Sequence, residues 1–417
     1  MVKFEATSIC ILGRQPALGL AELESLYGAK RVEPIEGAAL LDVEAADINF
    51  KRLGGTLKVA KILTLLPYTD WNSLIDHLKQ NVPKHLNHLS KGKFRLGLSV
   101  YGLNVPPKQI NYNLLAIKKI IRQSGRSVLV VPNKTAILNT AQVLHNKLTH
   151  LGGWELLLIK NGQQTILAQT LFVQNIEAYA ARDQARPKRD ARVGMLPPKL
   201  AQILINLAMG KFESSVASHQ SSVKKLATSD SRPMTKRALR VLDPFCGTGV
   251  ILQEALLMGY SVMGTDIEQR MIDYSTVNIK WLIDKYPQIE GFVVIEKSDA
   301  TTYKWPPFSA VTSEVFLGRP LASLPDEANL KKIINDANTI IKIFLKNIVT
   351  QLQPRQRMIL AVPAWRVKNG FKHLPLVDHL TEMGYTRLDL VHAKRDELIY
   401  FRENQIVARE ILTLEKA

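Results

Sequence analysis

The segment 241–257 constrains the fold of this chain more than any other. It runs Val-Leu-Asp-Pro-Phe-Cys-Gly-Thr-Gly and continues Val-Ile-Leu-Gln-Glu-Ala-Leu-Leu. The apolar residues before Asp243 predict the end of a buried strand, and Pro244 ends it because proline cannot donate to a β-ladder. Gly247 and Gly249 allow a tight turn and a close approach to a ligand. Since apolar residues then recur at helical spacing, the segment predicts a strand, a glycine loop and a helix.

The region after the glycine loop continues this pattern. A second apolar run, 260–265, predicts a strand that ends at Asp266, and a third, 292–296, is followed by the turn 298–300. An acidic residue about twenty positions after the loop, at the end of the second strand, is where a doubly wound sheet binds a ribose. The alternation of strands and helices over 239–417 therefore predicts an α/β fold with a doubly wound, Rossmann-like sheet.

The last fifty residues of this region predict the elements that close the sheet. Residues 371–383 have the spacing of a helix. Residues 387–393 and 398–401 predict two strands that pair with each other in antiparallel fashion. Such a terminal pair is common in sheets that are otherwise parallel.

The glycine loop lacks the sequences that bind phosphates. It contains neither the Gly-Lys-Ser/Thr of a P-loop nor the G-x-G-x-x-G of a dinucleotide site, and its Asp243 would repel a pyrophosphate. A ligand with a cationic amino-acid end and a nucleoside end fits better, and S-adenosylmethionine has both. The alternative is an ordinary strand–turn–helix connection. We expect S-adenosylmethionine to contact Asp243, Pro244, Phe245, Gly247, Thr248, Gly249, Asp266, Ile267, Ser298, Asp299 and Ala300.

The charge of the chain points to a polyanionic partner. Its 55 Lys and Arg exceed its 37 Asp and Glu, which gives a net charge of +18. Proteins with such an excess usually bind nucleic acid, although a basic surface kept for solubility is the alternative. Six cations cluster in the proline-broken connector 182–199, where we expect contacts to RNA phosphates rather than a merely solvated loop. They are Arg182, Arg186, Lys188, Arg189, Arg192 and Lys199.

Cysteine and histidine give no sign of a metal site or of a disulfide framework. Cys10 and Cys246 lie far apart, and the nine histidines show no metal-ligand spacing, so we expect no metal. The sequence has no run of eighteen apolar residues, and its N-terminus lacks the apolar region of a signal peptide. We therefore expect a cytoplasmic protein that does not associate with a membrane.

The N-terminal half predicts two smaller α/β regions and a polar insertion. Residues 1–64 alternate apolar runs with a helix, as in a ferredoxin-like α+β module, and 65–178 form a second unit. In that unit, 71–89 predict a pair of helices, and Asn161-Gly162 predicts a hairpin turn. The Ser-rich, basic stretch 211–238 has few apolar residues and predicts a disordered insertion.

Three stretches resemble the THUMP-domain-containing class I tRNA guanine-N2 methyltransferases. Residues 139–170 are similar to the end of a THUMP domain, 182–202 to the linker and first catalytic helix, and 243–249 to the cofactor loop. The resemblance implies a THUMP domain over 65–178, a basic linker and first helix over 179–210, and a catalytic domain over 239–417. It also implies that the N-terminal half holds the acceptor end of tRNA. The catalytic domain would methylate a guanine near the D-arm, at position ten.

One motif departs from the family pattern. After the fourth strand, predicted over 308–312, the family carries Asp/Asn-Pro-Pro-Tyr/Phe, whereas this chain has Ser313-Glu-Val-Phe316. The amine of guanine is a poor nucleophile, so an oxygen acceptor must hold its hydrogens and an aromatic ring must hold the flipped base. The resemblance assigns these roles to Glu314 and Phe316, and Gly318 would allow the bend that the prolines otherwise impose.

Three alternatives remain open from the sequence. The missing prolines favour an RNA-binding protein that keeps the fold but not the chemistry, with Glu314 as an ordinary exposed carboxylate of a loop. A methyltransferase for another RNA, such as ribosomal RNA, is also compatible with the same residues. An accessory protein subunit is compatible with each of these alternatives.

Overall fold

The computed structural model describes residues 4–86, 92–190, 196–210, 239–318, 321, 323–403 and 405–417. The predicted insertion 211–238 and the candidate RNA contact Arg192 lie outside the described residues. The chain divides into two compact units, and neither unit is continuous in sequence. The first unit comprises the chain up to Pro16, Lys30–Lys51 and Thr56–Ala178. The second comprises Ala17–Ala29, Arg52–Gly55 and Tyr179–Ala417.

An eight-stranded sheet forms the first unit. Its strands lie in the order β2-β3-β1-β4-β8-β7-β5-β6. They are β1 (Ser8–Leu12), β2 (Val32–Ile35), β3 (Ala38–Leu41), β4 (Thr56–Leu66), β5 (Phe94–Tyr101), β6 (Val128–Val130), β7 (Gly153–Asn161) and β8 (Gln164–Val173). Because β4 pairs with β8, the sheet continues across the module boundary predicted at residue 64. The predicted hairpin at Asn161-Gly162 is confirmed, since β7 and β8 pair in antiparallel fashion around it.

The helices of the first unit are α2 (Trp71–His85), α3 (Pro107–Gln123) and α4 (Thr140–His145). The predicted helix pair over 71–89 is wrong, because α2 is a single helix that runs through the described part of that stretch. Its N-terminus is capped by Asp70, whose carboxylate accepts a hydrogen bond from the Ser73 amide at 2.9 Å. Its buried face is unbroken from Leu74 to Val82, so nothing divides it.

A nine-stranded sheet forms the second unit, with seven strands in the order β11-β10-β9-β12-β13-β17-β15. They are β9 (Arg240–Asp243), β10 (Ser261–Asp266), β11 (Val293–Lys297), β12 (Ala310–Glu314), β13 (Arg357–Val367), β15 (Tyr385–Arg387) and β17 (Val407–Lys416). Two short strands, β14 (Gly370–Lys372) and β16 (Ile399–Tyr400), pair with β13 and β17. The strands from β11 to β13 are parallel, and β17 is antiparallel to β13. The predicted α/β, Rossmann-like fold is confirmed.

Helices cover both faces of this sheet. They are α1 (Pro16–Tyr27), α6 (Pro198–Met209), α7 (Val250–Leu257), α8 (Gln269–Lys285) and α9 (Glu327–Val349), while α5 (Ile176–Gln184) leads into the unit. Residues of α1, α6, α7 and α8 share one apolar core, and α9 packs in the other. Although α1 lies between β1 and β2 in sequence, its Glu22 carboxylate accepts a hydrogen bond from Asn206 Nδ2 of α6 at 2.7 Å.

The closing elements differ from the predictions. The predicted helix 371–383 is wrong: Phe371 pairs with Arg366 in a hairpin, and two short 3₁₀ turns follow. Gly370, with φ +117°, makes the hairpin turn that a helix would not allow. The predicted pairing of 387–393 with 398–401 is also wrong. Strands β15 and β16 each pair with β17, a strand that carries buried charges and was therefore not predicted from its apolar pattern.

Among the described residues, no helix is long and apolar enough to cross a membrane. Within the same residues, no group of three or more His, Cys, Asp or Glu is arranged to hold a metal ion.

Candidate functional site

A cavity of about 630 Å³ opens in the second unit, where β9, β10, β11 and β12 end. The strand order reverses between β9 and β12, and open α/β sheets bind ligands at such a point. The cavity contains ten of the eleven predicted cofactor residues and both predicted catalytic residues. These are Asp243, Pro244, Phe245, Gly247, Thr248, Asp266, Ile267, Ser298, Asp299, Ala300, Glu314 and Phe316. The exception is Gly249, which caps α7 instead.

The glycine loop is held from two sides. The Cys246 amide donates to Thr265 O of β10 at 2.9 Å, and Ser275 Oγ of α8 donates to Gly247 O at 2.6 Å. Gly247 and Gly249 have φ values of +49° and +83°, a region that other residues avoid. A Cβ on Gly249 would lie 3.1 Å from Ser275 Oγ, so a larger residue would also push the loop away from α8.

Asp266 connects this loop to the next strand. Its carboxylate accepts the Gly247 amide and the Glu268 amide, one on each oxygen, both at 3.0 Å. Burial raises the pKa of Asp266, and the two amide hydrogen bonds counteract that rise. Each carboxylate oxygen has a second lone pair. Asp266 can therefore hold the loop and still accept hydrogen bonds from a ligand in the cavity.

Asp243 is the most deeply buried carboxyl group of the cavity. It accepts Ser313 Oγ at 2.6 Å and the Phe245 amide at 3.3 Å. Burial raises the pKa of Asp243 to about 7, and the nearby Asp266 and Glu314 carboxyl groups add to the rise. Three carboxyl groups around one cavity disfavour an anionic ligand and favour a cationic one.

Ser298 is another cavity residue with a polar group that suits a bound molecule. Its Oγ is buried, and it has no hydrogen-bond partner among the residues that the structure describes. Buried hydroxyls are usually paired. Because Ser298 lines the cavity directly after β11, its hydroxyl can pair with a polar edge of a bound molecule.

Glu314 is the last residue of β12, so it does not lie in an exposed loop. Its Oε1 accepts a charge-assisted hydrogen bond from Arg409 Nε of β17, and the two side chains are 13% and 5% exposed. Burial raises the pKa of Glu314, and the Arg409 guanidinium opposes this. Sequence reasoning missed Arg409. Its signal is the adjacent charges Arg409 and Glu410, which interrupt the apolar run of the strand Val407–Lys416.

The backbone after Glu314 bends as expected. Val315 is buried, and its amide donates to Ala361 O of β13 at 3.2 Å. Phe316 is 43% exposed, and it lies at the cavity with Glu314. Gly318 has a φ of +83°, a backbone conformation that favours glycine, and its role in place of the prolines stays a prediction. An aromatic ring and a carboxylate therefore lie two residues apart at the mouth of the site.

The basic connector contacts the site through only some of its cations. Arg182 Nε forms an ion pair with the buried Glu254 of α7 at 2.9 Å. Arg186 is buried, and its Nη1 donates to Thr248 Oγ1 of the glycine loop at 3.2 Å. Lys199 lies over the Tyr179 ring, with its Nζ 5.1 Å from the ring centroid. The roles of these residues in RNA binding stay a prediction, and for Arg182 and Arg186 the structure adds contacts within the protein.

Among the cations of this connector that the structure describes, Lys188 and Arg189 are exposed. Asn278 of α8 fixes the backbone of Lys188: its Oδ1 accepts the Lys188 amide, and its Nδ2 donates to Lys188 O, both at 2.9 Å. The same Nδ2 donates to Thr248 O at 2.9 Å. One side chain thus joins the basic segment to the glycine loop.

Comparison with known proteins relates part of the chain to enzymes that modify tRNA. No family model matches it. It is 28% identical over 144 residues to the tRNA (guanine(10)-N2)-dimethyltransferase of Methanocaldococcus jannaschii, which is 33% of this chain and 33% of the relative. It is 34% identical over 117 residues to the enzyme of that name from Methanothermobacter thermautotrophicus, or 28% and 26% of the two chains. The matched segments thus span a third or less of these relatives.

The whole chain has a structural counterpart. The crystal structure of TrmN from Thermus thermophilus is similar with a TM-score of 0.50 and 16% sequence identity, over 99% of this chain and 100% of that one. At this identity, the similarity establishes a shared fold. This chain is therefore similar in fold to TrmN over its whole length, and similar in sequence over part of its length to tRNA guanine-N2 methyltransferases.

Proposed function

We propose that this protein is an S-adenosylmethionine-dependent methyltransferase that modifies the exocyclic N2 of a guanine in tRNA, at position ten. The observation that carries the proposal is the single cavity that contains the glycine loop, Asp266, Glu314 and Phe316. The two relatives are named as tRNA (guanine(10)-N2)-dimethyltransferases, which supports both the reaction and the nucleotide.

The cavity residues fit S-adenosylmethionine. Carboxyl groups at Asp243 and Asp266 suit a ligand whose sulfonium and ammonium groups are positive, and Asp266 has acceptor capacity left for ribose hydroxyls. The unpaired Ser298 Oγ suits the adenine end. A cavity of about 630 Å³ is within the usual range for a ligand of this size. When bound, this cofactor supplies an electrophilic methyl group.

The protein's part in the reaction is mainly to position the base. Glu314 lies beside the cavity with one oxygen already held by Arg409, so its other oxygen is available to accept a hydrogen of the guanine amine. Phe316 provides a ring on which a flipped base can stack. Transfer to an amine needs no covalent enzyme intermediate, and the rate depends on how well the amine is aimed.

We propose the first unit as the principal tRNA-binding region, with residues 65–178 as its THUMP domain. Lys188 and Arg189 are exposed and would add contacts to the RNA backbone. Affinity for tRNA should then fall steeply with salt, because counterions released from phosphates supply much of the binding free energy.

The test is methyl transfer to an unmodified tRNA transcript from labelled S-adenosylmethionine, followed by digestion to nucleosides. We expect label in N2-methylated guanosine. A matched transcript with inosine at position ten lacks the amine and should stay unlabelled. Label that persists in the inosine transcript would reassign the site, and preferential labelling of ribosomal RNA would change the substrate.

A second candidate is a tRNA-binding protein without methyl transfer. The absence of the Pro-Pro pair after Glu314 favours it. The same assay separates the two, because this candidate predicts tRNA and cofactor binding without any labelled nucleoside.

A further inference from the structure

Arg409 reaches Glu314 across an intervening strand. In the register of the sheet, Glu314 lies opposite Ala361 of β13, and Pro363 of β13 lies opposite Arg409 of β17. Residues 361 and 363 point to the same face, because side chains alternate along a strand. Ala361 is short, so the long Arg409 side chain can pass over β13 to Glu314. The pair therefore connects two strands that are not neighbours.

The hydrogen bonds of Glu314 are divided between its two oxygens. Oε1 accepts from Arg409, and among the described residues no hydrogen bond reaches Oε2. Glu314 lines the cavity, whereas Arg409 does not. The next residue of β17, Glu410, contacts different groups: its oxygens pair with Arg387 at 2.9 Å and with His373 at 2.7 Å. Arg409 is thus the cation of β17 that is directed at the cavity carboxylate.

We propose that Arg409 is a positioning residue for methyl transfer, holding Glu314 by Oε1 so that Oε2 faces the substrate amine. The inference rests on the proposed function. A glutamate has one more rotatable bond than the Asp or Asn of the family motif, and the prolines that would stiffen the segment are absent. The ion pair restricts that additional freedom, and the geometry of a bound reactant strongly affects its rate.

The same pair sets the charge of Glu314. Burial raises the pKa of Glu314, and the Arg409 guanidinium of β17 lowers it. The neighbouring carboxyl group is Asp243 of β9, whose own pKa is raised by Glu314. Removing Arg409 therefore raises the pKa of Glu314. If the ionised form is the acceptor, activity is lost as pH falls through this pKa. The acidic limb of the pH–rate profile then moves to higher pH in the variant.

The experiment is a double-mutant cycle in the full-length protein with Arg409→Met, Glu314→Gln and the double variant. We expect Arg409→Met to lower kcat about 10- to 100-fold with little change in KM for tRNA or cofactor. We also expect its acidic limb to shift upward. In the Glu314→Gln background the same change should have no further effect, because Arg409 acts through Glu314.

Two additional variants separate positioning from folding. Arg409→Lys keeps the cation but not the planar guanidinium, so kcat should be intermediate and the acidic limb should stay near that of the wild type. Arg387→Met removes an equivalent arginine–glutamate pair that lies outside the cavity, and its kcat should match the wild type. Thermal melting of each variant shows that the measured protein is folded.

Two outcomes overturn the inference alone, given an active wild type. One is that Arg409→Met has the kcat and pH profile of the wild type. The other is that it lowers kcat equally in the Glu314→Gln background. If Arg409→Met does not fold, the inference is instead overturned when Arg409→Lys has the kcat and pH profile of the wild type. A wild type that forms no N2-methylguanosine refutes the proposed function, and the inference with it.

Discussion

Two buried ion pairs, one in each unit, differ in how many oxygens of their glutamate accept hydrogen bonds from the described residues. In the first unit, Lys58 of β4 pairs with Glu155 of β7, and Lys58 Nζ also donates to Leu138 O at 2.9 Å. Glu155 further accepts Ser99 Oγ at 2.6 Å and Thr170 Oγ1 at 2.7 Å, so both of its oxygens are engaged. In the second unit, the pair with Arg409 engages only Oε1 of Glu314 among the described residues, and Glu314 lines a cavity.

The difference separates a structural pair from one available for binding. Glu155, Lys58, Ser99 and Thr170 lie on four adjacent strands, so their network fixes the pairing of the sheet and uses both oxygens of Glu155. A buried carboxylate that keeps a free oxygen loses hydration without full compensation. Such a group persists at a site where a ligand completes its hydrogen bonds. Burial alone does not identify a functional charge; a buried carboxylate that lines a cavity and keeps an oxygen without a hydrogen bond from the described residues is the better candidate.

The largest expected effect is on the structural pair. Lys58→Met leaves Glu155 buried without a cation and should lower the free energy of unfolding by about 3–5 kcal/mol, measured by urea denaturation. Adding Glu155→Gln should recover much of this loss, because the neutral amide needs no cation: its oxygen replaces one carboxylate oxygen as acceptor, and its NH2 group can donate to the Ser99 or Thr170 hydroxyl on the other side. If the single variant is as stable as the double variant, the network is not what fixes this sheet.

A smaller effect is expected for the pair of Glu314 and Arg409, and it concerns the methylation rate and not the stability. Glu314→Ala should lower the single-turnover methylation rate at least a hundredfold, which corresponds to about 2.7 kcal/mol of transition-state stabilisation. Binding of the cofactor, measured by calorimetry, should remain. The matched control is Glu410→Ala, which removes another buried carboxylate paired with an arginine but outside the cavity. A Glu314→Ala protein as fast as the wild type would show that Glu314 has no role in methyl transfer.

Asp266 is intermediate between Glu155 and Glu314. Each of its oxygens accepts one backbone amide and can still accept a second hydrogen bond. Asp266→Ala should weaken binding of S-adenosylmethionine by about 1–3 kcal/mol in a calorimetric titration, since ribose hydroxyls would lose their acceptor. Glu268→Ala removes a more exposed carboxylate of the same cavity and should have the smaller effect. The reverse order would assign the ribose contact to Glu268.

The sequence predicted those parts of the site that local chain geometry determines. The strand–loop–helix pattern predicted the roles of Gly247, Gly249 and Asp266. A positive φ favours glycine, and the end of a strand can be recognised from its apolar run. The pair of Glu314 and Arg409 could not be found in this way. Its members are 95 residues apart, and only the insertion of β17 beside β13 brings them together.

The errors in the closing elements have the same cause. The apolar pattern of 371–383 is compatible with a helix, but Phe371 is paired in the β13 hairpin. Strand β17 was missed because Arg409 and Glu410 interrupt its apolar run, and each becomes acceptable only through a distant partner. The periodicity of apolar residues predicts helices and strands whose charged side chains face water. It does not find a strand whose charges are neutralised inside the fold.

The placement of α1 also affects the order of events during synthesis. This helix is synthesised well before α6, yet it packs in the second unit, where Ser25 Oγ donates to Asn206 O at 2.9 Å. The two residues are 181 positions apart. At about 5–20 residues per second, α1 waits roughly 9–36 seconds for its partner. Its apolar residues Leu18 and Ala21 remain without their final neighbours during that time. The strands of the first unit can therefore pair while α1 still lacks its partners in the second unit.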